Sequence, residues 1–249
     1  MPDRLLHVAR LGCVPYGDAL ALQREVAGRV IAREIEGDVL LLLEHPPVVT
    51  LGRSSKLAHL VASRELLSAR GVELFEVERG GDVTFHGPGQ LVGYPILDLK
   101  AAPHRRDLHW YLRSVEEALI LALRSVGIQG NRSAGHTGVW VGANGGAPDA
   151  RGANTSRKIA SIGVHARDWV TWHGFAINVT TELSYFDLIV PCGIQGVTMT
   201  SIARERPDQR ADVGSFLLHV IEGFADTFSL SWTSNNDLAL DRLGTSAPR

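Results

Sequence analysis

Two side chains carry sulfur nucleophiles, Cys13 and Cys192. Cys192 stands between Pro191 and Gly193 at the end of the apolar run LIVPCGI, residues 188–194. Pro lacks a backbone donor and Gly favours turns, so the thiol is expected at a turn that closes a strand. There, the nearby N–H groups of Cys192 and Gly193, or those of the RGG segment at 79–81, would be placed to hold an oxyanion. Taken alone, a lone Cys is more often a small buried hydrophobe than a nucleophile. Cys13 has no comparable setting and reads as structural. The pair is too far apart in sequence to suggest a disulfide framework or a metal-ligand run.

Three other segments carry groups that a reaction can use. RGGDVTFHGPGQLVGY, residues 79–94, frames glycines with Arg79, His86 and Gln90. The glycines allow close backbone approach to a ligand, and the framing side chains supply a fixed positive fork and hydrogen-bonding groups. A tight hairpin explains the segment about equally well. It is neither a Walker loop nor a GxGxxG turn. RKIASIG, residues 157–163, opens a strand-like run with Lys158. A lysine there is usually a solvated guard of a strand edge. One that faces a pocket instead loses ammonium hydration and becomes usable as a base. HGFAINV, residues 173–179, reads as a strand whose Gly174 would let a substrate chain lie on the backbone, or as a plain core strand. The ten histidines show no HxxxH or HExxH spacing, and no GxSxG elbow is present.

The elements around these segments follow from periodicity. Leu22, Val26 and Val30 predict an amphipathic helix over residues 18–36, with Gly37 as its stop. Leu108, Leu112, Val115, Leu119, Leu123 and Val126 predict a long helix capped by Asp107 and ended by Gly127. Ser63 is expected to cap a short helix that Gly71 ends, and residues 212–228 form a last helix. Apolar runs around Pro46 and Pro47, at 72–78, after Gln90, at 138–141 and on both sides of Arg167 and Asp168 read as strands. The regular strand–helix alternation of a doubly wound sheet is missing. The expected class is α+β, a mixed or antiparallel sheet with packed helices. Residues 1–233 read as one domain, with a smaller lobe from about residue 200 as the other arrangement. A Gly- and Ala-rich flexible loop is expected at 142–156 and a flexible tail at 234–249.

At 249 residues and 27.0 kDa the chain can bury a full core. A net charge of -2 provides no global field for nucleic acid or anionic lipid. No run of about 18 apolar residues predicts a membrane span, and no signal-peptide pattern opens the chain. A reducing cytoplasm, where a thiol remains a thiol, is the expected location.

Together the quoted segments resemble the lipoyl(octanoyl) transferase family. RGGDVTFHGPGQLVGY matches that family's signature, and EHPPVVTLGR, KIASIG, HGFAINV and PCGI follow in the family's order, so the likeness spans about residues 20–205. The resemblance implies the fold of biotin and lipoate protein ligases. It implies transfer of octanoyl from octanoyl-acyl carrier protein to a lysine of lipoyl domains, those of 2-oxoacid dehydrogenase E2 subunits and the glycine cleavage H protein, with no cofactor. By the same resemblance Cys192 carries the acyl group and Lys158 is its acid/base partner. Substrate contacts would map to Arg79, Gly80, Gly81, Asp82, Val83, Thr84, Phe85 and His86, to Ser161, Ile162 and Gly163, and to Gly174, Phe175 and Ala176. Ile162, Val164, Phe175, Ile177 and Phe85 are the expected walls of an octanoyl slot. The loop 142–156 is longer and richer in Gly and Ala than the family's pattern, and the tail has no counterpart in it. The rival readings are an ATP-dependent lipoate- or biotin-type ligase and a non-catalytic scaffold that binds carrier proteins.

Overall fold

The computed structural model describes residues 4–142 and 156–236. The loop expected at 142–156 and the tail expected from 234 lie outside the described residues, apart from their end positions.

The chain opens with strand β1 (Arg4–Cys13) and helix α1 (Tyr16–Ile31). Leu22, Val26 and Val30 are all buried on one face of α1, as their spacing predicts. The helix stops at Ile31 and does not run on to Gly37. Arg33 turns left-handed (φ 61°), and Glu34 N–H closes the end on Arg29 O at 2.9 Å. Strands β2 (Asp38–Glu44) and β3 (Val48–Leu51) flank Pro46 and Pro47. Helix α2 (Arg64–Ala69) is capped by Ser63, whose Oγ accepts from Leu66 N–H. Strands β4 (Glu73–Glu76), β5 (Val83–His86) and β6 (Gln90–Ile96) follow. Helix α3 (Leu108–Ser125) is capped by Asp107, and Gly127 adopts φ 74° just past its end. Then come β7 (Gly130–Ser133), β8 (His136–Val141), β9 (Arg157–Arg167), β10 (Val170–Asn178) and β11 (Thr198–Met199). Helices α4 (Ile202–Glu205) and α5 (Val213–Phe228) and strand β12 (Leu230–Ser234) complete the described chain.

The main sheet runs β12-β1-β2-β6-β10-β9-β8-β7, with β11 paired to β9. It is mixed: β12, β1 and β2 run parallel, and β2, β6, β10, β9, β8 and β7 alternate antiparallel. A second sheet, β4-β3-β5, stands apart from it. Helices α3 and α5 cover one face of the main sheet through Val115, Leu119, Val220 and Phe224, while α1 covers part of the other through Leu22 and Val26. Strands β2, β6 and β10 are therefore buried on both faces, which is why DVLLLL and QLVGYPI read as continuous rather than alternating runs. The segment after residue 200 packs α5 on α3 and adds β12 to the sheet edge. Just past β12, Asn235 N–H donates to Val8 O at 2.8 Å, and Asn236 Oδ1 accepts from Arg10 N–H at 2.9 Å. Among the described residues no helix is long and apolar enough to cross a membrane.

Candidate active site

The expected strand before Cys192 is absent. Residues Leu183–Leu188 form a 3-10 helix, Ile189 makes a single bridge to Leu60, and Pro191–Gly193 forms one tight turn. Cys192 sits in that turn with φ 55° and ψ 20°, a left-handed conformation that a residue with a Cβ adopts at a cost of about 1–2 kcal/mol. A proline before it and a glycine after it support such a turn. The strain is spent on aiming the thiol: Sγ points to β9, where Lys158 Nζ lies 3.2 Å away and Ser161 Oγ 3.8 Å away.

Lys158 is not a solvated edge residue. It is 1% exposed. Nζ donates to Thr137 O at 3.2 Å and to Cys192 Sγ, and lies 5.3 Å from the centre of the Trp140 ring. Room for this side chain comes from Gly138 on β8, at φ 131°. A Cβ there would stand 2.8 Å from Lys158 Cε and 2.5 Å from Ala160 O. Glu116, buried on α3, fixes the same spot by accepting from Gly138 N–H at 3.0 Å.

Burial pushes the Cys192 thiol up, but the Lys158 charge and hydrogen bond outweigh it, aided by the Ser161 hydroxyl and the Arg79 charge. The net result holds the thiol below its ordinary value. Arg79 is itself buried. Its guanidinium donates to Thr50 O at 2.8 Å, to Thr50 Oγ1 and to Gly80 O at 3.1 Å. Gly80 N–H in turn donates to Val164 O at 2.8 Å, fastening the RGG loop across β9.

Thiol and amine open on a cavity of about 310 Å³. Arg79, Gly80, Gly81, Asp82, Thr84 and His86 line it, with Ser161, Ile162, Gly163, Gly174, Phe175 and Ala176. Val83 and Phe85 do not. Along β5 successive side chains alternate, so Thr84 and His86 face the cavity while Val83 and Phe85 enter a separate core. Phe85 stacks there on Tyr185 with ring centres 4.8 Å apart. Of the five expected slot walls, Ile162, Val164 and Phe175 line the cavity, and Ile177 and Phe85 belong to core clusters.

Part of the cavity wall is polar, which the sequence did not announce. Tyr16, His86, Tyr94 and His173 line it, all buried. Tyr94 and His173 stood inside segments already singled out, whereas Tyr16, at the first position of α1, gave no signal. Tyr94 OH donates to His45 Nε2 at 2.6 Å, because His45 Nδ1–H is committed to Val14 O at 2.7 Å. Burial keeps these imidazoles neutral, lowering His45 to about 4 and His86 and His173 to about 3. Among the described residues no group of three potential metal ligands occurs. Cys13, expected to be structural, is exposed at the end of β1.

The expected oxyanion donor at Gly193 is already engaged, since its N–H donates to Val190 O at 2.9 Å. The positive groups nearest the thiol are Lys158 and Arg79.

A family model for the lipoyl protein ligase A/B catalytic domain matches residues 15–225. An octanoyltransferase of Myxococcus xanthus is 52% identical over 198 residues, 80% of this chain but about half, 53%, of that relative. An octanoyltransferase of Acidobacterium capsulatum is 49% identical over 220 residues, covering 86% of this chain and 85% of the relative. Among solved structures, the bipartite lipoate protein ligase of Thermoplasma acidophilum has a TM-score of 0.69 at 16% identity, over 97% of this chain and 91% of that one. A lipoate-protein ligase A bound with ATP has a TM-score of 0.66 at 19% identity, over 97% and 94%. At those identities the two structures establish the shared fold, and the sequence matches establish more: the chain belongs to the lipoyl protein ligase A/B catalytic-domain family, among its octanoyltransferases.

Proposed function

We propose that this chain transfers an octanoyl group from octanoyl-acyl carrier protein to a lysine of lipoyl domains, through a thioester on Cys192 with Lys158 as acid/base partner. The observation that carries the reading is the 3.2 Å contact between Lys158 Nζ and Cys192 Sγ at a cavity with apolar walls. The acceptors are the lipoyl domains of 2-oxoacid dehydrogenase E2 subunits and the glycine cleavage H protein. Residues 1–233 work as one catalytic domain, in a reducing cytoplasm that leaves the thiol free.

The first half-reaction begins from a thiolate beside an ammonium. Cys192 attacks the donor thioester, and the sulfur of the carrier arm leaves as a thiolate that takes a proton from Lys158. Thioester is exchanged for thioester, so activation of the nucleophile matters more than driving force. In the second half-reaction the acceptor amine attacks the acyl-enzyme. Cys192 leaves as a thiolate, Lys158 recovers its proton, and the greater stability of an amide drives the step. Arg79 contributes a fixed positive charge beside the sulfur in both halves. A cavity of limited depth selects chain length, because each buried methylene contributes about 0.8 kcal/mol.

The test is transfer from octanoyl-carrier protein to a purified lipoyl domain without nucleotide. Octanoyl-lysine formed without ATP supports the reading. Transfer of free octanoate that depends on ATP and magnesium supports the ligase reading instead. No transfer under either condition leaves only the scaffold reading.

A further inference from the structure

The second half-reaction of the function proposed above releases more protons than Lys158 can absorb. An acceptor lysine arrives as an ammonium at neutral pH. On its way to an amide it loses two protons, one to become a nucleophile and one from the nitrogen after attack. Lys158, neutral after protonating the departing carrier thiol, takes one of them and restores the thiolate–ammonium pair. The other needs a second base on the side from which the acceptor comes.

His59 stands beside the nucleophile turn and is partly exposed. Its Nδ1 lies 2.6 Å from Asp82 Oδ2. A carboxylate only accepts, so Nδ1 carries the hydrogen and Nε2 the lone pair. The pair packs directly under the nucleophile turn. A Cβ on Gly193 would lie 2.5 Å from Asp82 Oδ2 and 3.0 Å from both Nδ1 and Cε1 of His59. Val190 N–H donates to His59 O at 2.7 Å, and Leu60 bridges Ile189, so backbone contacts join the two segments. Lys158 is 1% exposed, whereas the His59 side chain is 16% exposed and is flanked by Leu57 at 83% and Val61 at 62%. Lys158 lines the cavity, whereas His59 lies outside its lining, beside Gly193 and partly exposed.

We propose that His59, oriented by Asp82, is the base that deprotonates the incoming acceptor ammonium. Nε2 takes the proton, Asp82 stabilises the imidazolium, and the proton then passes to water. Lys158 retains the proton exchange with the carrier thiol and with the attacking nitrogen. Asp82 was expected only as part of the RGG loop, and no local pattern marks His59.

The experiment separates the two half-reactions in the full chain. Octanoyl-carrier protein is the donor, and discharge of the acyl-enzyme is timed with a lipoyl domain and, separately, with hydroxylamine, a nucleophile already neutral at pH 7. In H59Q the expected result is acyl-enzyme formation within about threefold of the unsubstituted protein, with discharge to the lipoyl lysine slower by about 100-fold. Discharge to hydroxylamine stays within the same threefold. Equal slowing of both half-reactions, equal slowing with both nucleophiles, or undiminished discharge overturns the proposal and leaves the pair a clamp for the turn. Asp82 lines the cavity, so D82N is read only by the ratio of discharge to the lipoyl lysine over discharge to hydroxylamine. That ratio should fall by less than in H59Q, and an unchanged ratio overturns the proposal if H59Q does not fold. Absence of any acyl-enzyme in the unsubstituted protein would contradict the proposed function itself, a separate outcome.

Discussion

Lys158 Nζ stands 3.2 Å from Cys192 Sγ although the residues are 34 positions apart. Lys158 is the second residue of strand β9, and Cys192 sits in a left-handed turn, Pro191–Gly193. The lysine is buried, and a carbonyl, a ring face and the sulfur hold it. That arrangement favours a negative sulfur.

Removing the amine should therefore return the thiol to a higher range. The expected result for Lys158→Met is alkylation of Cys192 by iodoacetamide at pH 7 slowed by about 10-fold or more, with the pH midpoint of alkylation moved upward. Alkylation rates across pH, with Cys13→Ser as background, measure this directly. An unchanged midpoint would show that Lys158 does not set the state of the thiol.

Gly138 gives a second prediction. Gly138→Ala sets a Cβ against Lys158 Cε and the Ala160 carbonyl, so the amine is displaced or β8 shifts. A loss of about 1–3 kcal/mol in stability is expected, with octanoyl transfer reduced by far more than the thermal transition suggests. Chemical denaturation beside single-turnover rates separates the two effects. Gly12→Ala is the comparison, because Gly12 also lies at positive φ, 67°, a Cβ there meets nothing within 4 Å, and it is outside the cavity lining.

The buried imidazoles set a pH dependence. His45, His86 and His173 stay neutral in the folded protein, at about 4, 3 and 3, whereas an unfolded histidine titrates near 6.5. As pH falls from 6.5 to 5 the unfolded chain gains protons that the folded chain refuses, so stability is full above 6.5 and is lost below it. The loss by pH 5 is no more than about 2 kcal/mol for each histidine. Urea denaturation at pH 7 and pH 5 measures it, and equal stability at the two values would show that these imidazoles charge freely in the fold.

The helices were legible because Leu, Val and Ile recur on one face and because Ser63, Asp107 and Asp212 cap their ends through side-chain oxygen. The central strands were legible as apolar runs. The α1 terminus was not, since Arg33 rather than a glycine takes the left-handed position. Proline and glycine around Cys192 announced a turn, but not that its approach would be a 3-10 helix in place of a strand. The pairing with Lys158 came from resemblance, because a chain tells which residues are neighbours in sequence and not which separate segments cross. Register decided the rest. Period-two alternation along β5 divides a segment that reads as one motif into Thr84 and His86 on the cavity and Val83 and Phe85 in a core. His59 and Gly138 matter only through tertiary contacts, so no local pattern marks them.

The central claim is a covalent acyl-enzyme on Cys192. Intact-mass spectrometry with peptide mapping, after incubation with octanoyl-carrier protein in the absence of ATP, tests it most directly. One octanoyl group per chain is expected, mapped to the peptide containing Cys192, absent from Cys192→Ser and discharged when a lipoyl domain is added. No adduct, or an adduct that persists in Cys192→Ser, would contradict it.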